Sequence, residues 1–111
     1  MPQADLLYSA DLTIDAPDIL SAVEQVIAAR DSGAGACKGR AYPSREFHHS
    51  HVTLRVAMLD KPHRDDAFMG DLLRAIEAEV KSHVSQPCAL AVELSFSSSH
   101  YSTGMHEGAA P

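Results

Sequence analysis

Residues 51–59, HVTLRVAML, alternate strictly, with Val52, Leu54, Val56 and Met58 on one side and His51, Thr53, Arg55 and Ala57 on the other. A period of two is that of a strand with one buried face, so this segment predicts a β-strand. CALAVELSF, residues 88–96, sets Leu90, Val92, Leu94 and Phe96 against Ala89, Ala91, Glu93 and Ser95 and predicts another. Near the amino terminus, ADLLYS at 4–9 is a short apolar run bounded by polar residues, and ACKGRAYP at 36–43 is a second candidate strand. Pro43 closes that strand or marks it as an edge, because proline cannot donate to a ladder.

Between the strands the period changes to that of a helix. Ile19, Leu20, Val23, Val26 and Ile27 repeat at helical spacing after Asp15-Ala16-Pro17, and Pro17 suits a first turn whose N–H groups have no partner. Asp31-Ser32-Gly33 is read as the stop, with Gly33 taking the left-handed conformation. A second helix is expected from Asp66 to about Val84, with Leu72, Leu73, Ile76, Val80 and Val84 in one stripe and Gln86-Pro87 ending it.

The order is β-α-β followed by β-α-β, a duplicated unit. Each helix joins two strands that should run parallel with a right-handed crossover. The predicted class is α+β in two layers, a four-stranded mixed sheet with both helices on one face. The other face carries Ala, Tyr, Thr and other weakly polar residues and is expected to be covered by another subunit. Residues 1–97 form a single domain on this reading. Residues 98–111 belong to a Ser- and Gly-rich tail without apolar period, read as flexible or as wrapping a neighbouring subunit.

Composition narrows the partners. A hydrophobic fraction of 45% with 22% charged residues is that of a folding chain. A formal charge of -6 disfavours nucleic acid and membrane surfaces, which demand surplus Lys and Arg. No basic region precedes an apolar run at the amino terminus, and no run approaches the roughly 20 apolar residues of a membrane span, so a cytoplasmic protein is expected. Cys37 and Cys88 stand outside any CxxC pair and are read as small fillers.

The candidate chemistry lies in few residues. Pro2 follows Met1 directly, and removal of the initiator before so small a residue would make Pro2 a chain-terminal secondary amine, a group that no side chain supplies. With Met1 retained, the same nitrogen is an amide without a basic lone pair. Residues 1–29 hold no Lys or Arg, whereas Lys38, Arg40 and Arg45 fall within eight positions. Such cations suit a carboxylate, and a guanidinium adds a two-pronged bond that fixes orientation. In FHHSH, His49 and His51 share a strand parity that two zinc ligands can use, but no third ligand is evident beside them and His48, so no metal is expected. Tyr8, ending the first strand, offers a phenol for a carbonyl or a core aromatic. Glu93 has a partner of suitable charge in Arg55. Triads, phosphate-cradling glycine loops and zinc spacings are absent.

MPQADLLYSADL, AGACKGRAY, HVTLRV, MGDLLRAIEAEVKSHV and ALAVEL, in this order and spacing, resemble successive segments of the 5-carboxymethyl-2-hydroxymuconate isomerase family of the tautomerase superfamily. The resemblance covers roughly residues 1–96. It implies a homotrimer of β-α-β-β-α-β subunits, an amino-terminal proline as catalytic base, no cofactor, and cations that hold a small dicarboxylate. Family members isomerise an unsaturated 2-oxo or 2-hydroxy acid in the breakdown of aromatic compounds. By the resemblance, Lys38 and Arg40 stand where the family carries two arginines, and Lys38 is a departure that exchanges a planar fork for a point charge. Arg45 lies in a loop shorter than the family's, and His51 aligns with a histidine that is structural or lines the pocket. The implied catalytic residue is Pro2, with Lys38, Arg40, Arg45, His51 and Tyr8 as substrate-binding candidates. A superfamily hydratase or decarboxylase and a non-catalytic trimeric binding module stand as alternatives.

Overall fold

Fifteen buried apolar residues form one layer between a sheet and two helices in the computed structural model, which describes residues 1–111. The elements run β1 (Gln3–Ser9), α1 (Ala16–Arg30), β2 (Lys38–Ser44), β3 (His51–Met58), α2 (Asp66–Ser82) and β4 (Ala89–Phe96). The strand order is β2-β1-β3-β4, with β1 parallel to β2, β3 parallel to β4, and the two central strands antiparallel. The duplicated β-α-β plan is therefore present, and the halves meet between β1 and β3. Pro43 lies on the edge strand β2, where its missing donor leaves no gap in the ladder.

The alternation places the core as expected. Val52, Leu54, Val56 and Met58 of β3 and Ala4 and Leu6 of β1 are buried under Ile19, Val23 and Ile27 of α1 and Leu72, Ile76 and Val80 of α2. Each fully buried Leu, Ile or Val side chain stabilises the fold by roughly 1.5–3 kcal/mol. Leu90, Val92 and Leu94 of β4 are partly buried against the same core.

Helix boundaries follow local chemistry. The Asp15 carboxylate caps α1 by accepting from the Asp18 N–H at 3.2 Å, and Asp65 caps α2 by accepting from the Phe68 N–H at 2.9 Å. The end of α1 differs from expectation. Asp31 leaves the helix in an extended conformation (φ −144°), its N–H still donating to Ile27, and the glycine with positive φ is Gly35 at +71° rather than Gly33. Helix α2 stops at Ser82, two residues early, where the His83 and Val84 N–H groups close tight turns onto Val80 and Lys81.

The strand directions divide the sheet into two ends. The start of β1, the start of β2, the ends of β3 and β4, the end of α1 and the start of α2 share one end, hereafter the proline end. At that end Asp31 and Arg64, both buried, pair at 2.8 Å, and Arg64 also donates to the Leu59 carbonyl at 2.6 Å. His63 adds a ring nitrogen 3.2 Å from Asp31. Burial pushes the Asp31 carboxyl up, but hydrogen bonds from Arg64 and His63, with the Arg64 charge, more than offset this and hold it below the usual carboxylate value. The cluster fastens the end of α1 to the turn between β3 and α2.

The face of the sheet away from the helices carries a row of alternating charge. Arg40, Asp5, Arg55 and Glu93 stand side by side on β2, β1, β3 and β4. Arg40 pairs with Asp5 at 2.9 Å and Arg55 with Glu93 at 3.7 Å. Residues beyond Phe96 form no helix or strand. The Ser97 N–H extends the ladder onto Met58, and the tail then turns back so that Tyr101 reaches Met1 and Gln3. No helix is long and apolar enough to cross a membrane.

Candidate active site

Pro2 is fully buried at the head of the central strand β1, its carbonyl accepting from the Lys38 N–H at 2.9 Å. That bond starts the parallel β1–β2 pairing and fixes the proline ring against the first residue of β2.

Register then decides which cations approach. Gln3 is level with Lys38 and Asp5 with Arg40, so these four side chains share the open face beside the head of β1. Gly39 separates the two cations and faces the helices, where a Cβ would come within 2.9 Å of Leu20 Cδ2. A glycine there lets β2 lie close beneath α1 while the residues on either side point outward.

The two cations differ in how free they are. The Arg40 guanidinium donates to Asp5 at 2.9 Å, to the Lys38 carbonyl at 2.8 Å and to the Gln3 side-chain carbonyl. Lys38 is exposed and makes no ion pair within the chain. Arg40 is thus held in one orientation by three acceptors with part of its donor set still open, and Lys38 is an exposed point charge.

Cys37 closes the inner side. Its N–H donates to Glu24 on α1 at 2.7 Å. Burial first, and the Glu24 charge second, push the thiol up to about 11, while Arg40, Lys38 and the chain amino terminus pull the other way. The thiol remains protonated at neutral pH and is no nucleophile there.

The remaining candidates stand elsewhere. Tyr8 is six residues along β1 from Pro2, about 20 Å at strand rise, and packs against the core. Arg45 follows β2 and His51 begins β3, both at the end opposite Pro2. The His51 Nδ1 lies 2.9 Å from the His49 carbonyl, and His49 holds a left-handed backbone at φ 64°. Neither histidine belongs to a group of three or more side chains placed to hold a metal ion. Within one chain, Tyr8, Arg45 and His51 do not meet a small molecule that touches Pro2.

Sequence reasoning overlooked Gln3, Asp5 and Tyr101. Gln3 and Asp5 carry a readable signal, since their parity on β1 matches that of Lys38 and Arg40 on the neighbouring strand once the strands are paired. Tyr101 carries none, because its contacts span about a hundred residues of chain.

No family model matches the chain, and no curated protein matches it. Solved structures do. A 5-carboxymethyl-2-hydroxymuconate isomerase from Deinococcus radiodurans R1 superposes with a TM-score of 0.81 over 96% of this chain and 90% of the other, at 21% identity. A 5-carboxymethyl-2-hydroxymuconate delta-isomerase follows at 0.79 and 15% identity, covering 96% and 89%. A fused 4-OT symmetric trimer matches at 0.69 and 14% identity, covering 96% and 95%. Across nearly its whole length the chain has the fold of these tautomerase-superfamily structures.

Proposed function

We propose that this chain is a cofactor-independent tautomerase that moves a proton within an unsaturated 2-oxo or 2-hydroxy carboxylic acid, with the amine of Pro2 as base. The observation that carries this reading is the position of Pro2 at the head of a central strand, its carbonyl hydrogen-bonded to Lys38 of the neighbouring strand that also carries Arg40. An α-amino group titrates near roughly 7.7–8 in water. The two cations disfavour its ammonium form, which suits the amine to taking a proton.

Each group then has a task. Lys38 and the open donors of Arg40 hold substrate carboxylate. The neutral amine removes a proton from one position of the conjugated system, the electron pair shifts along it, and the resulting ammonium returns the proton to a carbon further along. The amine ends the cycle unchanged. This requires a chain that begins at Pro2, and loss of the initiator methionine is part of the proposal.

The open face of the sheet is proposed as the contact between subunits of a homotrimer. Arg40, Asp5, Arg55 and Glu93 neutralise one another along a row, so a second subunit can cover them without stranding a charge. Likeness to a structure described as a symmetric trimer supports the same assembly. Light scattering tests it, and a monomer mass at micromolar concentration would remove it.

The test of activity is the ultraviolet absorbance of a 2-hydroxydienoic acid as it ketonises, with protein shown by mass to start at Pro2. Pro2→Ala is expected to lower the rate by about 10²-fold or more, the scale of a lost general base. Equal rates for the two proteins, or none above buffer, would overturn the reading. One observation favours the non-catalytic trimeric module instead, namely that Arg40 already has three partners in its own chain. On that reading a dicarboxylate binds with equal affinity to both proteins and is released unchanged.

A further inference from the structure

The tail makes one return contact with the body, and it falls at the candidate base. The Tyr101 hydroxyl lies 3.4 Å from the Met1 carbonyl oxygen and accepts from the Gln3 side-chain amide, also at 3.4 Å. The orientation of this contact is set from outside it. The Arg40 guanidinium donates to Gln3 Oε1, which fixes the amide so that Nε2 points to the phenol. Nε2 has hydrogens only, so it takes a lone pair of the phenol oxygen and leaves the phenolic hydrogen for another acceptor. In the chain with Met1 present, that acceptor is the Met1 carbonyl.

This carbonyl belongs to the amide whose nitrogen is that of Pro2. Peptide geometry sets a carbonyl oxygen about 2.2 Å from its amide nitrogen, so the phenol oxygen lies within about 5.6 Å of the Pro2 nitrogen. Removing Met1 deletes the acceptor and creates a lone pair on that nitrogen. The phenol keeps its hydrogen and its Gln3 anchor.

We infer that, in the chain beginning at Pro2, Tyr101 donates its hydroxyl hydrogen to the Pro2 amine, as a positioning residue held in turn by Gln3 and Arg40. The inference rests on the reading of Pro2 as base and gives the tail a role at that site. A donor to the lone pair stabilises the neutral amine, so the contact adds to the effect of the cations. It also fixes the direction from which substrate must approach. Other ionisable groups at this end include Lys38 and Arg40 of β2, Asp5 of β1, Cys37 with Glu24 of α1, Asp60, Lys61, Asp65 and Asp66 between β3 and α2, and His100 next to Tyr101 in the tail. The Asp31–His63–Arg64 cluster is closed on itself.

The test is an amine titration by nitrogen-15 NMR on protein labelled at proline and shown by mass to start at Pro2, comparing the parent with Tyr101→Phe and Gln3→Leu. Phenylalanine keeps the ring and removes only the hydroxyl. Tyr101→Phe is expected to raise the Pro2 amine pKa by about 0.5–1 unit, the scale of one neutral hydrogen bond. The acid limb of kcat/KM should move with it, a loss of about three- to tenfold at pH 6 that fades above the amine pKa. Gln3→Leu should shift the titration in the same direction by less. An unchanged amine titration in Tyr101→Phe overturns the inference, whatever happens to the rate. Should Pro2→Ala be as active as the parent, the base reading falls, while the titration still reports whether the phenol touches the amine.

Discussion

Two Asp–Arg pairs of nearly equal length do different work in this molecule. Asp31–Arg64 spans 2.8 Å with both side chains 2% exposed, and Asp5–Arg40 spans 2.9 Å with side chains 39% and 37% exposed. In the first, both carboxylate oxygens are bonded, with His63 and the Gly33 N–H beside Arg64, and Arg64 also reaches the Leu59 carbonyl. Losing either partner there strands a charge in apolar surroundings. In the second, water can replace either partner within the single chain, so the pair costs little to open there. The difference teaches that distance alone does not say what an ion pair is for. The enclosed pair holds the end of α1 to the turn before α2, and the open pair sets the direction of a cation that still has donors to give.

The enclosed pair should yield the largest effect when cut. Arg64→Met is expected to lower stability by about 3–5 kcal/mol, read as a fall in the urea midpoint, because the Asp31 carboxylate is left buried without its partner. Changing both, Asp31→Leu with Arg64→Met, should recover most of that loss, since a well-packed apolar pair carries no desolvation cost. A double variant no better than the single one would mean that geometry, rather than the stranded charge, is the cause.

Acid reads the same pair more gently. The Asp31 carboxyl is held below its ordinary value in the folded chain, so its contribution is complete above about pH 4, the value in the unfolded chain. It is lost as pH falls further, through the lowered folded value, because the unfolded state then binds the proton first. Denaturant midpoints between pH 5 and pH 2.5 should therefore fall less steeply in Asp31→Asn than in the parent. The open pair sets the lower bound. In the unassembled subunit, Asp5→Asn should change stability by under about 1 kcal/mol, and 1 M salt should erase the difference, as it does for exposed charges. A larger loss that persists in salt would place Asp5 in the framework with Asp31.

Legibility in the sequence followed the range of the interaction. The alternation of His51–Met58 and the stripe Leu72–Ile76–Val80 fixed a strand and a helix, because period alone decides which face of an element is apolar. Asp15-Ala16-Pro17 marked the start of α1, where the Asp15 cap is a bond only three residues long. Pro2 and the cluster of Lys38 and Arg40 stood out by residue type, and parallel pairing of β1 with β2 brought them together.

Tyr8 and Tyr101 show where reading by sequence stops. Tyr8 is near Pro2 along the chain, yet a strand's rise carries it to the other end of the sheet, while Tyr101, remote in sequence, returns to Met1 and Gln3. The Asp31–Arg64 closure, the strand order with β1 against β3, and the engagement of Arg40 by Gln3 and Asp5 likewise join residues more than thirty positions apart. By itself the sequence determined the elements, their buried faces and the chemical types available to a site. Only the tertiary structure decided which of those side chains meet, because contacts between distant residues depend on how whole elements pack, and no local period or spacing records that packing.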